Sequence, residues 1–134
     1  MTSTVLAIYL WIAAGSALGG LLRYLVSGWA ARYFGIAFPW GTLIINVAGC
    51  AFIGLFATLT GPSGRVLVNS TVRQFVMIGI CGGFTTFSTF SLETLNLARD
   101  GEWIRVAANV TGSVLFCLLG VWLGHAAATA LNER

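Results

Sequence analysis

The spacing of charged residues most limits how this chain can fold. Residues 1–22, 33–64, 74–92 and 106–132 carry no charged side chain. A helix that crosses a bilayer needs about 20 mostly apolar residues. The four tracts therefore predict four membrane-spanning helices, at about 5–27, 38–60, 74–97 and 104–130. A soluble alternative fails on composition. The 134-residue chain is 57% hydrophobic and only 8% charged, whereas soluble domains carry about 25% charged residues, and a chain this small cannot bury so much apolar surface in water. The first tract has no Lys or Arg ahead of its apolar core and runs too long for a secretory signal, so it reads as span 1. The expectation is an all-α integral membrane protein, a single transmembrane domain over residues 1–134, multi-pass in a bacterial-type inner membrane.

The connections are short. Trp29, Tyr33 and Trp40 suit the headgroup level, where amphipathic rings settle. Pro39 fits a turn or the first turn of span 2, Thr60–Arg65 reads as a turn, residues 66–73 as a short interfacial piece, and Ala98–Trp103 as a tight charged turn. With four spans both termini share one side. Arg65, Arg73, Arg134 and the amino terminus lie there; Arg23, Arg32, Arg99 and Arg105 lie opposite, and there is no Lys. The positive-inside rule needs an imbalance, and this near-even split is compatible with insertion in both directions and hence with an antiparallel homodimer. No basic run with interleaved aromatics is present, which argues against nucleic-acid binding.

Polar groups in hydrocarbon are costly and turn toward the bundle interior. Asn46 in span 2 has Thr42 on the same face, four residues earlier; its carboxamide either ties helices together or lines a pathway with its N–H donors. In span 4, Asn109, Ser113 and Cys117 recur every four residues. Cys50, Cys81 and Cys117 lack metal-ligand spacing and read as small packing residues. His125, the one histidine, reads as an interface residue without an obvious partner. Gly15 and Gly19, Gly79 and Gly83, and Gly120 and Gly124 are spaced for close helix packing. With no nucleophile elbow, paired carboxylates, P-loop or zinc spacing, enzyme function is disfavoured.

Span 3 differs in kind. "GGFTTFSTFS" (Gly82–Ser91) holds five hydroxyls, at Thr85, Thr86, Ser88, Thr89 and Ser91, behind two glycines. Such a segment favours a helix break, and irregular backbone survives at membrane depth only where protein buries it or it lines water. Carbonyls freed at a break can hold a cation. Phe87 and Phe90 share a helical face, and their positive ring edges can meet an anion without a buried cation. Glu93 is the one acid inside a predicted span.

Taken together, "GSALGGLLRY" (Gly15–Tyr24), "PWGTLIINVAG" (Pro39–Gly49), "GGFTTFSTFSLE" (Gly82–Glu93) and "GSVL" (Gly112–Leu115) resemble the Fluc family of fluoride channels, also called CrcB, over essentially the whole chain. The resemblance implies an antiparallel, dual-topology homodimer of four-span subunits with a broken third helix. It implies two pores per dimer that let fluoride leave the cytoplasm passively, giving resistance to its toxicity. It implies a structural Na+ at the dimer interface, held by backbone carbonyls at Gly82 and Thr85. The pore residues it implies are Asn46, Phe87, Phe90 and Ser113, with Arg23 at a vestibule, Thr42 and Glu93 beside the pore, and Thr86 and Thr89 as the hydroxyls around the Phe pair. Cys117 stands where the family has a further hydroxyl, and Asn109 where it often has an aromatic residue.

Two other readings compete. A small multidrug transporter also has four spans and dual topology, but needs a mid-membrane carboxylate, usually in span 1, which has none. An assembly subunit without transport predicts that the polar face of span 3 only joins helices.

Overall fold

The computed structural model describes residues 2–134, with side-chain environments from residue 5 onward. It is all-helical. Helix α1 (Thr2–Phe34) is followed by α2 (Trp40–Leu59) and α3 (Ser70–Gln74). The chain then passes through a π-helical stretch (Phe75–Cys81) into the short α4 (Gly82–Phe84), and continues as α5 (Phe87–Arg99) and α6 (Trp103–Asn132). Four stretches are long and apolar enough to cross a membrane: Val5–Phe34, Trp40–Leu59, Ser70–Arg99 and Trp103–Asn132. The protein is a multi-pass membrane protein. Among the described residues the only buried hydrophobic side chains are Ala30, Ile45, Cys81 and Ala128, so the apolar surface is left for lipid or another chain to cover.

Two boundaries depart from expectation. Span 1 does not end near residue 27 but runs to Phe34. Arg32 sits in its last turn, where a cation complements the helix dipole, and Gly35, at φ 76°, ends it in the left-handed conformation. The other concerns residues 66–73, which are not a separate interfacial piece throughout. Asn69 caps a helix that begins at Ser70, its side chain accepting from the Val72 N–H at 2.9 Å, so the third span starts there. Arg65, before the third span, and Arg73, in its first turns, close helix ends. Arg73 Nη1 donates to the Thr60 carbonyl at 2.8 Å, and Arg65 Nη1 donates to the Leu131 carbonyl at 2.8 Å.

Helix pairs set the frame. α1 lies on the third span through backbone contact: a Cβ at Gly15 would stand 2.6 Å from the Phe75 carbonyl and 3.0 Å from Gly79 Cα, and one at Gly83 would stand 2.5 Å from the Ser16 carbonyl. The two small-residue pairs of the sequence meet each other here. α2 and α6 run parallel, in a register that holds over several turns. Thr58 pairs with His125 and Arg65 with Asn132, each 67 residues apart, and Gly54 abuts Val121 at the same offset. His125 thus has a partner that its sequence context did not reveal: its Nδ1 lies 2.8 Å from Thr58 Oγ1, whose own proton goes to the Gly54 carbonyl.

Candidate ion pathway

Between α4 and α5 the backbone of Thr85 (φ −77°, ψ 157°) and Thr86 (φ −153°, ψ 114°) is extended. Extended residues lose their helical hydrogen bonds, and at membrane depth something must replace them. Asn46 supplies the replacement from α2. Its Oδ1 accepts from the Thr86 N–H at 2.8 Å, and its Nδ2 donates to the Thr86 carbonyl at 3.0 Å. One carboxamide thus satisfies both backbone groups of a residue that is 6% exposed. The Thr86 hydroxyl caps α5, accepting from the Thr89 N–H at 3.2 Å and donating to Thr89 Oγ1 at 2.9 Å. Thr85 folds back on Cys81, whose carbonyl accepts both its N–H and its hydroxyl.

This bonding frees two carbonyls. In a continuous helix the Thr86 N–H would serve Gly82 and the Thr89 N–H would serve Thr85. Both donors go elsewhere, to Asn46 and to Thr86 Oγ1. The carbonyls of Gly82 and Thr85 therefore lose their helical donors. Gly82 is exposed, and a Cβ on it would meet nothing within 4 Å.

Two cavities adjoin this point. One, of about 310 Å³, is lined by Gly20, Arg23, Tyr24, Ser27, Thr42, Thr86 and Thr89. The other is a groove of about 480 Å³ whose walls include Asn46, Thr86, Phe87, Phe90 and Ser113. Thr86 lines both. The Phe87 and Phe90 rings are 5.3 Å apart at 43° to each other. Phe87 is 78% exposed, so nothing within the chain covers it.

Glu93 lines neither cavity. It accepts a hydrogen bond from Thr42 Oγ1 at 2.9 Å, and its other oxygen is buried without a partner among the described residues. On the α6 side, Asn109, 1% exposed, donates from Nδ2 to Thr94 Oγ1 at 2.9 Å, and Thr94 passes its proton to the Phe90 carbonyl at 2.7 Å. Ser113 reaches Asn109 Oδ1 at 3.5 Å. Asn109 and Thr94 thus anchor α5 beneath Phe90, and Thr94 had not been singled out from the sequence. A hydroxyl one residue beyond Glu93, on a polar helix, was the available signal.

The structure brings Arg23, Thr42, Thr86 and Thr89 to one cavity, and Asn46, Thr86, Phe87, Phe90, Ser113, Gly82 and Thr85 to the other. Thr86 lines both, so the cavity with Arg23 and the groove walled by amide, hydroxyl and aromatic groups adjoin the same residue.

Comparison with known proteins bears on what these cavities serve. A protein of Opitutus terrae named "Fluoride-specific ion channel FluC" is 58% identical over 96% of this chain and 97% of its own. Proteins of the same name from Rhodospirillum rubrum and Paramagnetospirillum magneticum are 59% and 61% identical, each over 93% of this chain and 97% and 98% of their own. Residues 10–125 match the family described as "CrcB-like protein, Camphor Resistance (CrcB)", and the chain belongs to that family.

Proposed function

We propose that the protein is a fluoride-selective channel through which fluoride leaves the cell passively, relieving its toxicity. The observation that carries this is Thr86, which lines both the cavity with Arg23 and the groove with Asn46, Phe87, Phe90 and Ser113. The names of the relatives supply the ion. It is a conduction pathway, not an enzyme.

Fluoride is small and tightly hydrated. A pore for it must replace water with donors and still release the ion. Arg23 at the mouth raises the local anion concentration without placing a full charge at the constriction. Asn46 spends one Nδ2 proton on the Thr86 carbonyl and keeps a second for the ion. Ser113 offers a hydroxyl whose contact to Asn109 is long, 3.5 Å, and so easily exchanged. Phe87 and Phe90 present ring edges. Thr42 and Glu93 act beside the path, Thr42 linking the carboxylate to the Arg23 cavity. The multidrug reading is weaker, because Glu93 faces neither cavity.

The functional unit on this reading is an antiparallel, dual-topology homodimer with two pores. Phe87, Ser88, Thr89 and Ser91 are exposed on a single chain. Their hydroxyls bond within the chain, but a polar surface at membrane depth turns toward protein rather than lipid, and a second copy in the opposite orientation supplies that cover. The third span is broken at Thr85 and Thr86, and the carbonyls of Gly82 and Thr85 hold a structural Na+ at the two-fold axis. Their lost helical donors and the open space at Gly82 fit a hard, oxygen-seeking cation.

Purified protein in liposomes should release fluoride far faster than chloride when a potential is imposed; equal or absent flux of both would refute the channel. In the same assay Phe90→Ile is expected to slow fluoride by roughly tenfold or more, a loss of about 1.4 kcal/mol at the barrier, while the dimer stays intact. Cysteines placed at the two membrane faces should crosslink only between opposite faces, and dimers should dissociate more readily when Na+ is replaced by N-methylglucamine. Parallel crosslinks alone, or dimers indifferent to Na+, would remove the assembly described.

A further inference from the structure

The groove that holds Phe90 and Ser113 is also lined by Cys50, Cys81 and Cys117, all three cysteines of the chain, and by Met77. Two of these thiols face each other. Cys50 on α2 and Cys117 on α6 line the same groove. The helix register agrees independently. Cys50 and Cys117 stand at the 67-residue offset that pairs Thr58 with His125, and one turn before the Gly54–Val121 contact. Both are half-buried and neither is in a disulfide.

Two thiols on one wall of the groove favour one class of ligand. Among the described residues no group of three or more His, Cys, Asp or Glu side chains converges, so ions that need three or four such ligands are not served. A soft cation content with two collinear sulfurs is served. Charge decides further. When a divalent soft cation takes two thiols, each S–H bond breaks, two S–metal bonds form and two protons leave for water. The bis-thiolate is then neutral, which avoids the cost of a charge in low dielectric.

We propose that Cys50 and Cys117 form a two-thiol site for a soft divalent cation of the mercury(II) class, and that an ion bound there narrows the groove beside Phe90 and Ser113. The site stands on the facing thiols alone; its effect on flux rests on the fluoride reading given above. The rest of the wall suits this chemistry, since Met77 and Cys81 add polarisable sulfur without completing a larger cage.

The test uses the full-length protein in detergent, with mercuric ion as the probe and a monothiol competitor present. Native mass spectrometry should show one mercury per chain with loss of two protons. Cys50→Ser and Cys117→Ser should each weaken retention against the competitor by roughly a hundredfold or more, because the second thiol acts at high effective concentration. Cys81→Ser should retain the ion. Cys117→Ala serves where the serine variant fails to fold. Retention by either single variant, dependence on Cys81, or loss of two protons without metal, as in a disulfide, would overturn the site. In liposomes mercury should slow fluoride release by the unsubstituted protein and spare the Cys50→Ser variant. Bound mercury with unchanged flux would overturn its place on the path, whereas protein that carries no fluoride even without mercury would refute the channel and leave the binding result standing.

Discussion

Replacing Asn46 with leucine is expected to abolish fluoride release and to produce the largest stability loss of any single change in the pathway. Leucine has nearly the same volume, so the effect is not a cavity. It removes the acceptor for the Thr86 N–H and the donor to the Thr86 carbonyl together. An unsatisfied buried polar group costs roughly 1–3 kcal/mol. Two such groups are stranded on a residue that is only 6% exposed. Thr86→Ala gives the internal comparison. It keeps the backbone pair to Asn46 and loses only the hydroxyl cap of α5, a change worth about 1 kcal/mol. Thermal midpoints should therefore rank Asn46→Leu well below Thr86→Ala, with the unsubstituted protein highest. Equal midpoints for the two variants would show that the carboxamide does not hold the extended segment.

The sequence disclosed much of this architecture, and the limits of that reading have physical causes. Four spans follow from the absence of charge over four long tracts, because hydrocarbon excludes charge wherever it falls in the chain. The close packing of the small-residue pairs was also legible, since Gly15 and Gly19 expose backbone on one face. Their partner was not, because spacing fixes a face and leaves open what meets it. The same limit applies to the pathway. Asn46 was readable as helix glue or as a pathway donor, and the choice turns on which backbone it reaches across the bundle. The structure gives it a bonding role at Thr86 and a place on the groove wall at once. Thr42 and Glu93, and Asn109 and Thr94, are pairs of the same kind, bonded across spans. The start of the third span was readable in principle. Asn69 followed by Ser70 is an ordinary cap signal, outweighed by treating Arg73 as the limit of an apolar run. Arg73 is tolerated inside the helix because its guanidinium bonds the end of α2.

The adjacent glycines of α1 provide a sharper test of what positions the pathway. Gly19→Ala is expected to destabilise the protein by roughly 1–3 kcal/mol, the usual range for forced overpacking, and to reduce fluoride release, whereas Gly20→Ala should change stability by no more than about 1 kcal/mol, and upward if at all. The substitutions are chemically identical and one residue apart. They differ in what the added methyl meets. At Gly19 it collides with the Ile80 carbonyl and stands 2.8 Å from the Phe84 N and 3.0 Å from the Gly83 carbonyl carbon. All three are backbone atoms, so no rotamer change relieves the contact and the two spans must separate. At Gly20 nothing lies within 4 Å; the added methyl enters the open Arg23 cavity, and for stability only the helix-favouring effect of alanine remains. Separation at Gly19 acts on Phe84, the last residue of α4 before the extended Thr85–Thr86 pair. A shift there moves Thr86 relative to Asn46 on α2, and hydrogen bonds of 2.8 and 3.0 Å weaken within a few tenths of an ångström. Thermal midpoints and fluoride release measured on the two variants side by side decide the matter. If Gly20→Ala is as damaging as Gly19→Ala, the loss does not come from the backbone collision, and the close approach of α1 to the third span does not set the pathway.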